Sequence, residues 1–212
     1  MIRYGRSLFV HVPKTGGTWV RQLLLKHGGK TYSYEHDIPQ RHRISIALRR
    51  STPFCFVRHP VDFVYSVWKH WSGNPICRVN CTNAGRHKYW DKRAHAHIYC
   101  ACVIEGDVNA TLRAFTQQAP GFVSEVYRVF TARCRHVGRY ESLRSDLARI
   151  LHLIEGNLDP SLESSIAEEV SVNVSRGADQ QIDPQVARSF MEREPCSALY
   201  GYWDLPDSMG KS

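Results

Sequence analysis

The 212-residue sequence predicts an α/β fold, a central parallel sheet flanked by helices, on three observations. Short apolar runs at Leu8–Val12 and Phe54–Val57 have the composition of strands buried on both faces. Each run gives way to helical periodicity within a few residues, as in a strand–crossover–strand unit. Lys14, His36 and Arg58 each follow a predicted strand, at the carboxyl edge where sheets of this kind bind ligands.

In order, the first strand spans Ser7–Val12 and the first helix Gly17–His27, with Val20, Leu23 and Leu24 apolar and Gly28-Gly29 as its stop. An extended piece covers Thr31–His36, and a helix covers about Gln40–Arg50. A strand at Phe54–Arg58 leads to a helix at Val61–Trp71, with Pro60 suited to the first turn and Asp62 to the positive end of its dipole. Ser72–Lys92 is rich in Gly, Asn and Cys and is expected to be a loop over the active site. Helices follow at Ala94–Ile104, Asn109–Gln118 and Phe122–Thr131, then a strand at His136–Tyr140 and a helix at Leu143–Ile154. A helix at Ser161–Glu169, a loop at Val172–Gln180 and a helix from Asp183 to about Glu194 complete the chain. No internal repeat or low-complexity linker divides it, so residues 1–212 are expected to form a single domain, with 72–93 as the excursion.

The chemistry concentrates first in Leu8–Leu25, LFVHVPKTGGTWVRQLLL. A strand, a Gly-rich turn and a helix start together make an anion site: unpaired backbone N–H groups face outward and the helix dipole favours negative charge. Gly16 and Gly17 let the backbone come close, Lys14 adds a point charge, and Thr15 and Thr18 add hydroxyls. The nucleoside-triphosphate pattern of Gly, four residues and Gly-Lys-Ser/Thr is absent, because Gly29-Lys30-Thr31 has Leu24 where that pattern needs glycine. The second segment is PFCFVRHPVDFVYSVWKHW, Pro53–Trp71. Arg58 at a strand end and Ser66 eight residues on, in the next helix, can converge on one anion, the guanidinium as a planar fork and the hydroxyl beside it. Taken alone, an Arg at a strand end is more often a surface ion-pair partner.

These two segments resemble the cofactor motifs of sulfotransferases that use 3′-phosphoadenosine 5′-phosphosulfate (PAPS), of the bacterial and carbohydrate-type branch. HVPKTGGTW is similar to their 5′-phosphosulfate loop, VRHPVDFVYS to their 3′-phosphate segment, and VGRYESLRSDL (Val137–Leu147) to a later strand-and-helix stretch. The resemblance runs from Leu8 to about Leu151 and is poor across Ser72–Ala94. It implies a three-layer, P-loop-like fold and transfer of a sulfuryl group from PAPS to an acceptor hydroxyl, releasing PAP, without a metal. Lys14 would stabilise the leaving phosphate and Thr15, Gly16, Gly17 and Thr18 would cradle it. Arg58 and Ser66 would bind the 3′-phosphate, Arg176 and Gly177 would close over the nucleotide, and Trp19 would stack on adenine or else pack in the core. His36 follows the second strand, where that family places a catalytic base, and Glu35 and Asp37 are its rivals.

Lys and Arg exceed Asp and Glu by 28 to 20, a net charge of +8 that suits a polyanionic cofactor or an acidic acceptor. The expected acceptor is an anionic glycan or a small hydroxylated metabolite, with a peptide left open by the sequence. No nucleic-acid-docking element is recognisable. No run reaches the ~18 apolar residues of a membrane span, and the N-terminus has no apolar signal region, so a cytoplasmic chain is expected, although a trimmed luminal domain would look similar. Cys55 is expected in the core. Cys77, Cys81, Cys100 and Cys102, near His87, His95 and His97, could bind zinc, pair as disulfides or stay reduced; their spacing matches no standard zinc module. Two other functions fit the same loops: a small-molecule kinase, disfavoured by the missing triphosphate pattern and by the lack of an acidic strand end for Mg²⁺, and a catalytically silent nucleotide-binding protein.

Overall fold

The computed structural model describes residues 1–32, 50–72, 102–169, 180–202 and 204. The chain forms two compact units, Met1–Arg58 with Tyr127–Val174, and His59–Val126 with Ser175–Ser212. The architecture is mixed α/β, with one open five-stranded sheet and eight helices among the described residues.

The first unit holds the sheet. Its strands are β1 (Ile2–Tyr4), β2 (Ser7–Phe9), β3 (Lys30–Thr31), β4 (Thr52–Val57) and β5 (His136–Arg139), in the order β3-β1-β2-β4-β5. β4 runs parallel to both neighbours, with Phe9 opposite Phe54 on one side and Phe54 opposite His136 on the other. The expectation of a wholly parallel sheet is corrected at the other edge, where β1 pairs antiparallel with both β2 and β3. A three-residue strand carries too little periodicity to be read, and Gly5-Arg6 turns β1 directly into β2 as a hairpin. β3 exposes both of its residues, one of them Lys30, as an edge strand does.

Helix α1 (Gly17–Lys26) carries Trp19, Val20, Leu23 and Leu24 on its buried face, and α5 (Leu143–Glu155) carries Leu147, Ile150, Leu151 and Ile154. Both close over Phe9, Phe54 and Phe56 of the sheet, joined by Leu162 and Ile166 of α6 (Pro160–Glu168). Gly29 N–H donates to Leu24 O (2.8 Å) where α1 stops, so Gly28-Gly29 ends the helix as expected and Lys30-Thr31 is strand. β4 is buried from Pro53 to Val57, as its unbroken apolar run requires. β2 stops at Phe9, short of the expected Val12, because the chain turns into a loop closed by Thr15 Oγ1 donating to Val12 O (2.8 Å).

The second unit is helical: α2 (Pro60–Ser72), α3 (Val108–Gln118), the start of α4 (Phe122–Thr131), α7 (Pro184–Met191) and α8 (Cys196–Leu199). Asp107 caps α3 and Asp183 caps α7, each accepting a backbone N–H at 2.8 Å, with Pro184 in the first turn of α7. Asn109, in the Asn-x-Thr pattern Asn109-Ala110-Thr111, uses its amide to accept from Asp183 N–H and to donate to Gln181 O. The helix expected to reach Glu194 ends at Met191, and Glu194 turns inward instead. Its carboxylate accepts from the N–H groups of Val123 (3.2 Å) and Ser124 (2.9 Å) and from Ser124 Oγ (2.7 Å), at the N-terminus of α4. No helix among the described residues is long and apolar enough to cross a membrane.

Burial raises the Glu194 carboxyl above the ordinary glutamate range, although the Ser124 and Val123 donors pull the other way. Glu194→Ala leaves two N–H groups without their acceptor and should cost about 1–3 kcal/mol in denaturant unfolding. A raised folded pKa stabilises most below the unfolded value of ~4.3, and that contribution fades as pH rises through the folded value. Unfolding measured across a pH series should therefore show a downward component above about pH 4.3 that Glu194→Gln lacks.

Candidate functional site

The carboxyl ends of β2, β4 and β5 open at one edge of the sheet in the first unit. Three segments leave there: the loop from Val10 to Gly16, Arg58 after β4, and Tyr140 after β5. Tyr140 N–H donates to Val57 O (2.7 Å), which extends the parallel pairing by one step and sets Tyr140 beside the end of β4.

The loop is built by close packing. Gly16 has φ 76° and precedes α1, whose N-terminus receives no side-chain cap. Its Cα faces Tyr140 and Leu143 so closely that a Cβ would lie 3.0 Å from the Tyr140 ring and 2.7 Å from Leu143 Cδ2. A Cβ on Gly17 would lie 2.0 Å from the ring of buried His11. The Gly-Gly pair is thus required twice, for a left-handed turn and for a ring packed against backbone. Lys14 also sits at positive φ, 63°, which is uncommon for a side-chain-bearing residue and marks a loop held by its surroundings. With no side chain at the cap, the first N–H groups of α1 keep the free valence that an anion can take.

Arg58 is held against this loop without a carboxylate partner among the described residues. Its guanidinium lies over the Tyr140 ring, Cζ 4.2 Å from the centroid, and Nη1 is 3.5 Å from Lys14 O. Its Nε is buried and has no hydrogen-bond partner among the described residues. The backbone of Arg58 is fixed from both sides by one hydroxyl: Tyr127 Oη donates to Arg58 O (2.7 Å) and accepts from Arg58 N–H (3.1 Å). Tyr127 is wholly buried. A cation whose main chain is clamped, whose face rests on an aromatic ring and whose Nε has no acceptor is prepared for an oxyanion.

The structure therefore brings Lys14, Thr15, Gly16, Gly17, Thr18 and Arg58 together in the first unit. Trp19 is buried in the core of that unit, with Arg144 Cζ 5.3 Å from its ring centroid. Ser66 is a buried residue of α2 in the second unit. His36, Glu35, Asp37, Arg176, Gly177 and the Ser72–Lys92 loop beyond its first residue lie outside the described residues, as do Cys77, Cys81, Cys100, His87, His95 and His97.

Sequence reasoning missed Tyr127, Tyr140 and His59. Tyr140 stood in a segment singled out for its resemblance, but nothing in its spacing reveals a ring beneath Arg58. His59 binds at both ring nitrogens in the second unit: Nδ1 accepts from Val61 N–H (3.3 Å) at the start of α2, so Nε2 donates to Asp204 O (2.9 Å). Cys55 is a core residue of β4, as expected. Burial raises the thiols of Cys55, Cys102 and Cys196, the last to about 12, and in Cys55 the adjoining Cys134 thiol adds to the rise. None of these three has the thiolate character of a nucleophile. Among the described residues no group of three or more His, Cys, Asp or Glu could hold a metal ion.

Compared with protein-family models, curated proteins and solved structures, the chain gives no significant match.

Tyr127→Phe removes both bonds to the Arg58 backbone and leaves a buried N–H and C=O without partners. It should lower the unfolding free energy by about 1–3 kcal/mol, read by denaturant titration, while keeping the ring's packing.

Proposed function

We propose that this chain is a PAPS-dependent sulfotransferase, with a P-loop-like three-layer fold, that moves the sulfuryl group of PAPS to an acceptor hydroxyl and releases PAP. One observation carries it: an uncapped helix start at a Gly-Gly loop, with the guanidinium of Arg58, which has no carboxylate partner among the described residues, resting on Tyr140 at the same loop. That combination suits a nucleotide bearing two separate phosphate groups better than a lone anion. PAPS supplies the transferable sulfuryl group. The N–H groups of Thr15 to Thr18 would hold its 5′-phosphate, and Lys14 would balance the negative charge that grows on that phosphate during transfer. Arg58, with Ser66 assigned by the resemblance, would bind the 3′-phosphate and so favour PAP over ATP. His36 is the proposed base, with Glu35 as its rival, and Arg176-Gly177 the proposed closing loop. The acceptor is proposed as an anionic glycan or a small hydroxylated metabolite. A cytoplasmic location belongs to the same proposal.

Calorimetry should find PAP bound far more tightly than ATP with Mg²⁺. Arg58→Ala should weaken PAP by ~2–4 kcal/mol, the loss of a charged partner of a phosphate. Unchanged PAP affinity in that variant would refute the assignment.

With labelled PAPS and a panel of glycan and small hydroxylated acceptors, Lys14→Ala should lower kcat much more than it lowers stability, because Lys14 acts on charge that develops in transfer. His36→Ala should reduce kcat by ~10²–10⁴-fold with PAP binding nearly intact. Normal turnover in His36→Ala beside an inactive Glu35→Gln would move the role of base to Glu35.

A further inference from the structure

We propose a second oxyanion site in the first unit, at the amino ends of β2, β4 and β5, taking a phosphate or sulfate ester. A cleft of about 380 Å³ lies there, and four of its lining residues are Arg6, Arg50, Arg133 and Arg135. Arg6 immediately precedes β2, Arg50 closely precedes β4, and Arg133 and Arg135 closely precede β5. These are the starts of the strands whose far ends carry the Lys14 loop, Arg58 and Tyr140, so the cleft is separate from the site described above.

The scaffold beneath the arginines is rigid. Thr52 N–H donates to Arg6 O (2.7 Å), and Arg135 N–H donates to Pro53 O (2.8 Å), which ties the three turns at the spacing of the sheet. Between Arg133 and Arg135, the Cys134 thiol turns inward, donating to Phe130 O (3.5 Å) and meeting the buried Cys55 thiol. Arg133 and Arg135 themselves are exposed.

The charge is unbalanced. Arg50, Arg133 and Arg135 have no carboxylate partner among the described residues, and the Arg6 guanidinium reaches Glu155 only at 4.0 Å. Among the described residues, no acidic or aromatic side chain lines the cleft. A site for a cation needs carboxylates, and a site for a nucleobase needs a stacking ring, so neither ligand fits. Guanidinium forks and two hydroxyl side chains, Ser51 and Thr52, match the oxygens of a phosphate or sulfate ester. Ser51 Oγ is buried and lacks a hydrogen-bond partner among the described residues, a polar group at this edge left unsatisfied by the protein.

The test is calorimetric titration at low salt with two probes, inorganic pyrophosphate and a trisulfated disaccharide. Both are run on wild type, on Arg133→Ala/Arg135→Ala, on Lys14→Ala/Arg58→Ala and on Arg113→Ala/Arg188→Ala, which removes two exposed charges elsewhere. The Lys14→Ala/Arg58→Ala protein should still bind one equivalent of probe, while the Arg133→Ala/Arg135→Ala protein should bind at least ~10-fold more weakly. Tighter binding of pyrophosphate would identify a phosphate ester as ligand, and of the disaccharide a sulfate ester. Should the alanine pair lose its fold, Arg133→Lys/Arg135→Lys keeps the charge and should bind several-fold more weakly through loss of the planar fork. Three results would overturn the site: no saturable binding of either probe, the same loss in Arg113→Ala/Arg188→Ala, or binding abolished by Lys14→Ala/Arg58→Ala alone.

Discussion

The parallel pairing of β4 with β2 and β5 is the constraint from which both edges of the first unit follow. Parallel strands start at one edge and end at the other, so a register of Phe9 with Phe54 and Phe54 with His136 sorts every flanking turn to one side or the other. The Lys14 loop, Arg58 and Tyr140 fall at the carboxyl edge, and Arg6, Arg50, Arg133 and Arg135 fall at the amino edge. The pairing is secured by burial. β4 is apolar and enclosed from Pro53 to Val57, and Phe54 and Phe56 meet α1 and α5 across the core. A slip of one residue in β4 would turn those rings to the opposite face and move Arg58 away from Tyr140.

The strongest sequence signals were the ones that burial writes most directly. The apolar run at Phe54–Val57 is β4, and the 3.6-residue patterns beginning at Gly17, Phe122 and Leu143 are α1, α4 and α5 with ends within a residue of expectation. The antiparallel hairpin of β1 was not legible, since Ile2-Arg3-Tyr4 buries only one residue and offers no alternation to count. Nor was the early stop of α7. Pro195 disfavours continuation of the helix through Glu194, but the decisive factor is tertiary, the need of Val123 and Ser124 N–H for the Glu194 carboxylate.

The candidate site was legible in part for a related reason. Glycines and a lysine between a strand and a helix announce a backbone that must come close to something, and the structure supplies the steric reason in His11, Tyr140 and Leu143. What spacing does not encode is which distant side chain props up a cation. Tyr127 lies 69 residues from Arg58 and holds both its N–H and its C=O through one hydroxyl, an arrangement that only the folded chain can reveal.

The placement of carboxylates accounts for where the positive charge is left free. Glu155 accepts from the N–H groups of Arg6 and Ser7 and from Ser7 Oγ, and so fixes the β1–β2 turn. Burial disfavours the charge of Asp146, yet the Arg139 N–H, Arg149 and Ser142 donors outweigh it and hold the carboxyl below the usual range, securing the turn from β5 into α5. Glu155 is engaged mainly by backbone and hydroxyl donors, and Asp146 by such donors together with the Arg149 guanidinium, each at a turn where it orders the chain. Arg58 is steadied instead by a ring and a carbonyl, and Arg50, Arg133 and Arg135 by the sheet beneath them. None of those contacts neutralises a guanidinium. In this unit these guanidinium groups, without a carboxylate partner among the described residues, stand at the two strand-end edges, where an oxyanion can meet them.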